Sequence, residues 1–203
     1  MIRECFIMHH RDDTDAAERV RIQYGTSMCY PISSMGSHVS VVPNHQLNRI
    51  TSLHTRANVA YFGTFGYELD LNKLTDEEIA EVKAQIIFMK EYRELIQFGN
   101  FYRLKSPFDG NETVWMTVSE DKRKALVFWY RERNVVNAEF TRVRLQGLDP
   151  DLIYKNEYNG TENYGDELMN LGLLTTDVTA GEPTNEDLPC TDYESRIYVL
   201  TAE

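Results

Sequence analysis

The sequence has few of the features that mark secreted, membrane-spanning or nucleic-acid-binding proteins. Its 203 residues include only three cysteines, an odd number spaced far apart, so we expect reduced thiols and no disulfide framework. No apolar run approaches the roughly 20 residues that cross a bilayer, and the start of the chain does not resemble a signal peptide. The net charge of −11 argues against binding to nucleic acid or to an anionic membrane. These absences predict a cytoplasmic protein.

Motifs for metals and phosphates are also missing. No spacing of histidine and cysteine predicts a metal site. The glycine-rich loop at 63–66 lacks the Gly-Lys-Ser/Thr ending of a phosphate-binding loop. We therefore predict no cofactor. The hydrophobic share of 42% is typical of a folded globular protein, and the length fits one large domain or two small ones.

The pattern of the sequence changes near Gly99. Before this residue, strand-like and helical segments alternate, which is typical of an α/β fold. The clearest segment is a helix that Thr75 and Glu78 begin as a capping box and that Gly99 ends. Its apolar residues recur at spacings of three and four and predict one buried stripe: Ile79, Val82, Ile86, Met89, Tyr92 and Ile96.

Weaker signals precede this helix. Asp15 and Glu18 form a second capping-box pattern, which predicts a short helix that ends before Gly25. A short strand is predicted at 28–32. The apolar run that begins at Ala57 predicts a buried strand that ends in a glycine-rich loop.

After Gly99 the hydrophobic pattern has a period of two. Residues 113–118 and 125–130 flank a polar turn and predict a β-hairpin. Alternation over 140–145 and 196–200 predicts two more strands, while no strong helix is predicted here. Short strands separated by turns are typical of an antiparallel β-sandwich of about 100 residues.

Three carboxylates, those of Asp12, Asp13 and Asp15, stand just before the first predicted helix. A glycosidase needs a carboxylic acid that protonates the leaving oxygen, and crowded carboxylates retain protons more strongly than isolated ones. The alternative is that these aspartates cap the helix, which is their commoner role at such positions.

Other polar and aromatic residues have both functional and structural interpretations. The 33–38 segment predicts a polar loop at a strand end, and His38 or His45 is more often a structural hydrogen-bonding residue than a catalyst. Trp115 and Trp129 could stack on sugar rings, but in alternating strands such residues more often belong to the core.

Short motifs follow one another in a fixed order over nearly the whole chain after residue 11. They begin with Asp12-Asp13-Thr14-Asp15-Ala16 and continue at 18–19, 22–27, 30–40, 42–46, 56–70, 90–93, 165–170 and 195–200. In this order they resemble the late barrel region and C-terminal region of bacterial α-galactosidases of glycoside hydrolase family 36. Residues 1–11 do not resemble the family.

The resemblance implies a retaining enzyme that removes terminal α-linked galactose from oligosaccharides. It implies that residues 1–99 are the last βα units of a (β/α)8 barrel and that residues 100–203 are an antiparallel β-sandwich. By position in the family motif, Asp12 is the general acid/base and Asp13 is the second candidate.

The sequence also departs from the family. The Lys-Trp-Asp motif of the nucleophile and the first barrel strands are absent from these 203 residues. We therefore expect the chain to be inactive alone, and to self-associate or to bind a chain that carries the missing barrel strands. The alternative hypothesis is a non-catalytic module that binds carbohydrate or assembles subunits.

Overall fold

The computed structural model describes residues 13–135, 140–175 and 192–202. These residues form two compact units that divide between Phe98 and Gly99. The first is an α/β unit, and the second is an antiparallel β unit. Within the described ranges, no helix has the length and apolar character needed to cross a membrane.

The α/β unit contains three helices and two strands. In chain order they are α1 (Ala16–Thr26), β1 (Gly36–Ser40), α2 (Leu53–Tyr61), β2 (Thr64–Glu68) and α3 (Asp76–Phe98), with short 3₁₀ helices at Ile32–Ser34 and Leu71–Lys73. The two strands pair in parallel, from Gly36 opposite Thr64 to Ser40 opposite Glu68. Parallel strands need a crossover connection, and α2 lies within it.

The predicted capping box of α3 is confirmed. The Thr75 N–H donates to Glu78 Oε2 at 2.9 Å, and the Glu78 N–H donates to Thr75 Oγ1 at 3.2 Å. The apolar stripe is also confirmed, because its later members are buried: Val82, Met89, Tyr92 and Ile96. Ile79 and Ile86 are half-buried.

Two strand predictions in this unit were wrong. Residues 57–61 belong to α2, which Ser52 caps by accepting the Thr55 N–H at 3.0 Å. Because α2 is buried on nearly every side, its apolar run has no helical period and looks like that of a buried strand. Residues 28–32 form a turn that enters a 3₁₀ helix, and the strand begins only at Gly36. The predicted end of α1 was also early, since this helix passes Gly25 and ends at Thr26.

The β unit is built around a six-stranded antiparallel sheet. Its elements are β3 (Asn100–Lys105), β4 (Glu112–Val118), β5 (Lys124–Arg131), β6 (Arg142–Val143), β7 (Ile153–Asn156), β8 (Glu162–Tyr164), α4 (Gly165–Asn170), β9 (Leu173–Leu174) and β10 (Glu194–Ala202). The strand order is β3-β4-β5-β10-β7-β8, and β6 pairs separately with β9.

The predicted hairpin at 113–118 and 125–130 is confirmed as β4 and β5, and the strand at 196–200 lies within β10. Of the strand predicted at 140–145, only the two residues of β6 are in a strand. The helix α4 was not predicted. Trp115 and Trp129 are core residues, each about 1% exposed. One face of the hairpin, including Trp129, packs in a cluster with Val143, Leu145 and Leu168.

Two tyrosines, Tyr61 buried and Tyr67 half-buried, give the α/β unit a predicted sensitivity to alkali. Tyr67 donates to Gln85 Oε1 at 2.8 Å, and burial, with a smaller effect of Glu81, raises the pKa of Tyr67 to about 12. Burial also raises the pKa of Tyr61. The fold therefore favours the neutral phenols. The contribution of Tyr67 to stability is fully present below the ordinary pKa of 10.0 and is lost as pH rises through about 12.

We expect the free energy of unfolding, followed by circular dichroism in urea, to fall between pH 10 and about 12. In Tyr67→Phe the fall should be shallower, because one of the titrating groups is gone. Equal slopes for the two proteins would contradict this assignment.

Candidate functional site

The segment that enters α1 is fixed by its own carboxylates. Asp15 is 2% exposed and caps the helix, because its Oδ2 accepts the Glu18 N–H at 3.0 Å. In a full capping box the Glu18 side chain would accept the Asp15 N–H. Here Asp13 Oδ1 accepts it instead, at 3.0 Å. The capping interpretation is thus confirmed for Asp15. Asp12, the predicted acid/base, lies outside the described residues, directly before this segment.

The loop that follows β1 holds this segment in place. Asn44, which is buried, donates from Nδ2 to Thr14 Oγ1 at 3.0 Å. Arg49 Nη1 forms an ion pair with Asp15 Oδ2 and lies 3.9 Å from Glu18 Oε1. We call Thr14, Asp15, Asn44 and Arg49 the clamp. It lies beyond the carboxyl end of β1, the side on which α/β barrels keep their active sites.

The loop itself is folded around Asn44. The Oδ1 atom of Asn44 accepts the N–H groups of Gln46 and Leu47, each at 2.9 Å. Its backbone N–H donates to the Arg49 carbonyl at 2.9 Å. One buried amide side chain therefore shapes the loop and also contacts Thr14.

Gln23 joins α1 to the rest of the unit. This buried side chain donates from Nε2 to the carbonyls of Val59 at 2.9 Å and Phe62 at 3.3 Å. Its Oε1 accepts the Ser37 hydroxyl at 2.8 Å. The polar loop predicted at 33–38 was wrong in its second half, because Ser37 and His38 lie within β1.

Two arginines, Arg56 buried and Arg19 half-buried, bind the two ends of β1. Arg19 Nη2 donates to the Gly36 carbonyl, and its Nε has no hydrogen-bond partner in the described part of the chain. Arg56 Nη1 donates to the Ser40 carbonyl at 2.6 Å. Burial lowers the pKa of both guanidinium groups, although Asp13 near Arg19 opposes this effect. No local sequence signal indicates either role.

His38 and His45 lie outside the clamp. His38 is exposed on β1, with its ring against Gly66, where an added Cβ would come within 2.9 Å of His38 Cδ2. His45 is exposed in the loop after β1. Across the described ranges, no group of three or more His, Cys, Asp or Glu residues could hold a metal ion.

Comparison with known families gives two consecutive matches. The family described as Melibiase matches residues 4–99, so the prediction that residues 1–11 do not resemble the family was wrong for residues 4–11. The family described as glycosyl hydrolase family 36 C-terminal domain matches residues 112–200.

Curated relatives include the alpha-galactosidase AgaA of Geobacillus stearothermophilus, 54% identical over 162 residues, which are 80% of this chain and 22% of the relative. The bifunctional alpha-galactosidase/sucrose kinase AgaSK of Mediterraneibacter gnavus is 48% identical over 80% of this chain and 17% of its own length. The chain thus spans about a fifth of the length of these relatives.

Solved structures are similar as well. The crystal structure of Geobacillus AgaA has a TM-score of 0.86 at 47% identity and covers 95% of this chain and 25% of its own. The alpha-galactosidase of Lactobacillus brevis has a TM-score of 0.88 at 46% identity, with the same coverage. Variants of the Geobacillus protein have been solved in complex with raffinose and with stachyose.

Proposed function

This chain belongs to glycoside hydrolase family 36, and from that premise we propose that it supplies the last part of a retaining α-galactosidase. Residues 1–99 are the closing βα units of a (β/α)8 barrel, and residues 100–203 are an antiparallel β-sandwich. The substrates are oligosaccharides that end in α-linked galactose. Raffinose and stachyose, which are bound in structures of the Geobacillus relative, belong to this class.

Hydrolysis with retention of the anomeric configuration requires two carboxyl groups. One attacks the anomeric carbon as a nucleophile while the other protonates the leaving oxygen, and the second then removes a proton from the water that releases the sugar. Asp12 is the proposed general acid/base. No cofactor takes part in these steps.

The clamp is the observation that carries this assignment. It holds residues 14 and 15 beyond the carboxyl end of a parallel strand, where barrel enzymes place catalytic side chains. Asp12 directly precedes this fixed segment in the sequence. Asp13 is the weaker candidate, since its Oδ1 already accepts a backbone N–H at the helix start.

The nucleophile is proposed to lie in earlier strands of the barrel, whose Lys-Trp-Asp motif these 203 residues do not contain. The isolated chain should then bind partners that carry those strands, in the cytoplasm, and should not hydrolyse galactosides by itself.

We expect the purified chain to release no nitrophenol from p-nitrophenyl α-galactoside. Residues 12–203, joined to the upstream part of the Geobacillus relative in place of that enzyme's own equivalent region, should give turnover. In this chimera Asp12→Asn should lower kcat by about 10²–10⁴-fold, because proton transfer to the leaving group is lost.

Asp13→Asn in the same chimera is the matched control, with the same change of charge one residue away. Its kcat should stay within about tenfold of the parent chimera. A larger loss with Asp13→Asn than with Asp12→Asn would move the acid/base to Asp13. Turnover by the isolated chain would show that a second carboxylate within it acts as the nucleophile.

A further inference from the structure

A cavity of about 590 Å³ opens in the β unit, at the end of the β3–β4 hairpin. It lies entirely within this unit and is separate from the clamp. The residues of its wall that matter here are Leu104, Lys105, Asp109, Glu112, Arg131 and Thr141. Its volume falls within the range of about 300–1,000 Å³ that is usual for small-molecule sites.

The polar part of the wall is organised around Glu112. Its Oε1 accepts the Trp129 indole N–H at 3.1 Å and the Thr141 hydroxyl at 3.0 Å. Its Oε2 forms an ion pair with Lys105 Nζ. Bonds to an ionised group are stronger than neutral ones, so this carboxylate and its three donors are held in a fixed arrangement before any ligand arrives.

The charges of the wall are nearly balanced. Lys105 is paired with Glu112, and Arg131 Nη2 is paired with Glu194 Oε2. Asp109 adds one exposed carboxylate on the hairpin loop. The cavity therefore has no surplus positive charge to attract an anion. It offers donors and acceptors side by side.

We propose that this cavity binds a neutral saccharide. Sugar hydroxyl groups both donate and accept, and so match mixed polar groups that carry little net charge. The side chains of Leu104 and Val135 supply apolar wall for the C–H face of a sugar ring. This binding is independent of the proposed catalytic role, because no residue of the α/β unit takes part in it.

The two tryptophans allow a direct test by NMR. The Trp129 indole N–H bonds to Glu112 at the cavity, so its indole resonance should report ligand binding. Trp129 pairs across the strands with Val114, whereas Trp115 pairs with Phe128, which places the two indoles on opposite faces of the hairpin. Trp115 is therefore an internal control.

We expect galactose or raffinose, titrated into the 203-residue chain, to shift the Trp129 indole resonance in a saturable manner and to leave that of Trp115 unchanged. Asp109→Ala should weaken binding by roughly tenfold, because one hydrogen bond to a charged group is lost. Asp151→Ala removes the same charge from an exposed turn outside the cavity wall and should leave the dissociation constant unchanged.

Three results would overturn the proposal. They are no shift of Trp129 with either sugar, a shift with inorganic phosphate in place of the sugars, and equal binding by Asp109→Ala and the parent chain. Absence of galactosidase turnover would bear only on the catalytic proposal, since the NMR titration requires no chemistry.

Discussion

Replacing Arg49 with methionine is expected to lower the free energy of unfolding of the α/β unit by about 3 kcal/mol. Arg49 neutralises Asp15, a carboxylate that is only 2% exposed. Removing Arg49 from this partly buried pair leaves the buried charge of Asp15 uncompensated, which costs more than the pair itself contributes. The Glu18 N–H still bonds to Asp15 and keeps the loss at the lower end of the usual range.

Urea unfolding followed by circular dichroism at 222 nm measures this loss, because the three longest helices of the described residues lie in the α/β unit. Arg21→Met is the matched control. Arg21 pairs with Glu18 at 3.5 Å with both side chains one-third exposed, so its removal should cost about 0.5 kcal/mol or less. Equal costs for the two variants would contradict a special role for Arg49.

A double-mutant cycle separates the charge from the packing of the arginine. Asp15→Asn keeps an oxygen that can cap the helix but removes the negative charge. Added to Arg49→Met, it should recover most of the lost stability, because no buried charge is left without its partner. Simple addition of the two losses would show that the two side chains do not interact.

Gly165→Ala is expected to destabilise the β unit by about 3 kcal/mol. Gly165 is the first residue of α4, and an added Cβ would lie 1.9 Å from the Asp149 carbonyl oxygen and 3.0 Å from the Tyr154 ring. The first neighbour is backbone, so it cannot move aside as a flexible side chain would. The overlap must therefore displace α4 or the turn before β7.

Tryptophan fluorescence follows this unit alone, because both tryptophans lie in β4 and β5. Gly110→Ala is the control, since no atom beyond its two chain neighbours lies within 4 Å of the Cβ it would add. Its unfolding free energy should change by about 0.5 kcal/mol or less. A midpoint for Gly165→Ala that matches this control would contradict the overlap with the Asp149 carbonyl.

The parts of the fold that could be predicted from the sequence are those whose signals are local. The capping box of Thr75 and Glu78 joins residues three apart, and the β4–β5 hairpin joins two alternating strands across a short turn. The helix α2 could not be predicted in this way, because burial on nearly every side removes the contrast between polar and apolar faces.

In the candidate site, too, local contacts could be predicted from the sequence and long-range contacts could not. The role of Asp15 as a cap follows from its position three residues before Glu18. Asn44 and Arg49 reach their partners across 30 and 34 residues of chain, and no spacing rule relates such distant positions. Only the folded unit brings the loop after β1 against the start of α1.

The strand order of the β unit has a consequence for folding during synthesis. β10 lies between β5 and β7, yet Glu194 follows its partner Arg131 by 63 residues. At about 5–20 residues per second, the ribosome needs roughly 3–13 seconds to make that stretch. Until then β5, whose residues 125–130 are all buried in the finished sheet, has an unpaired backbone edge next to apolar side chains. The nascent chain is therefore most prone to aggregate in this interval, and protection by a chaperone would matter most then.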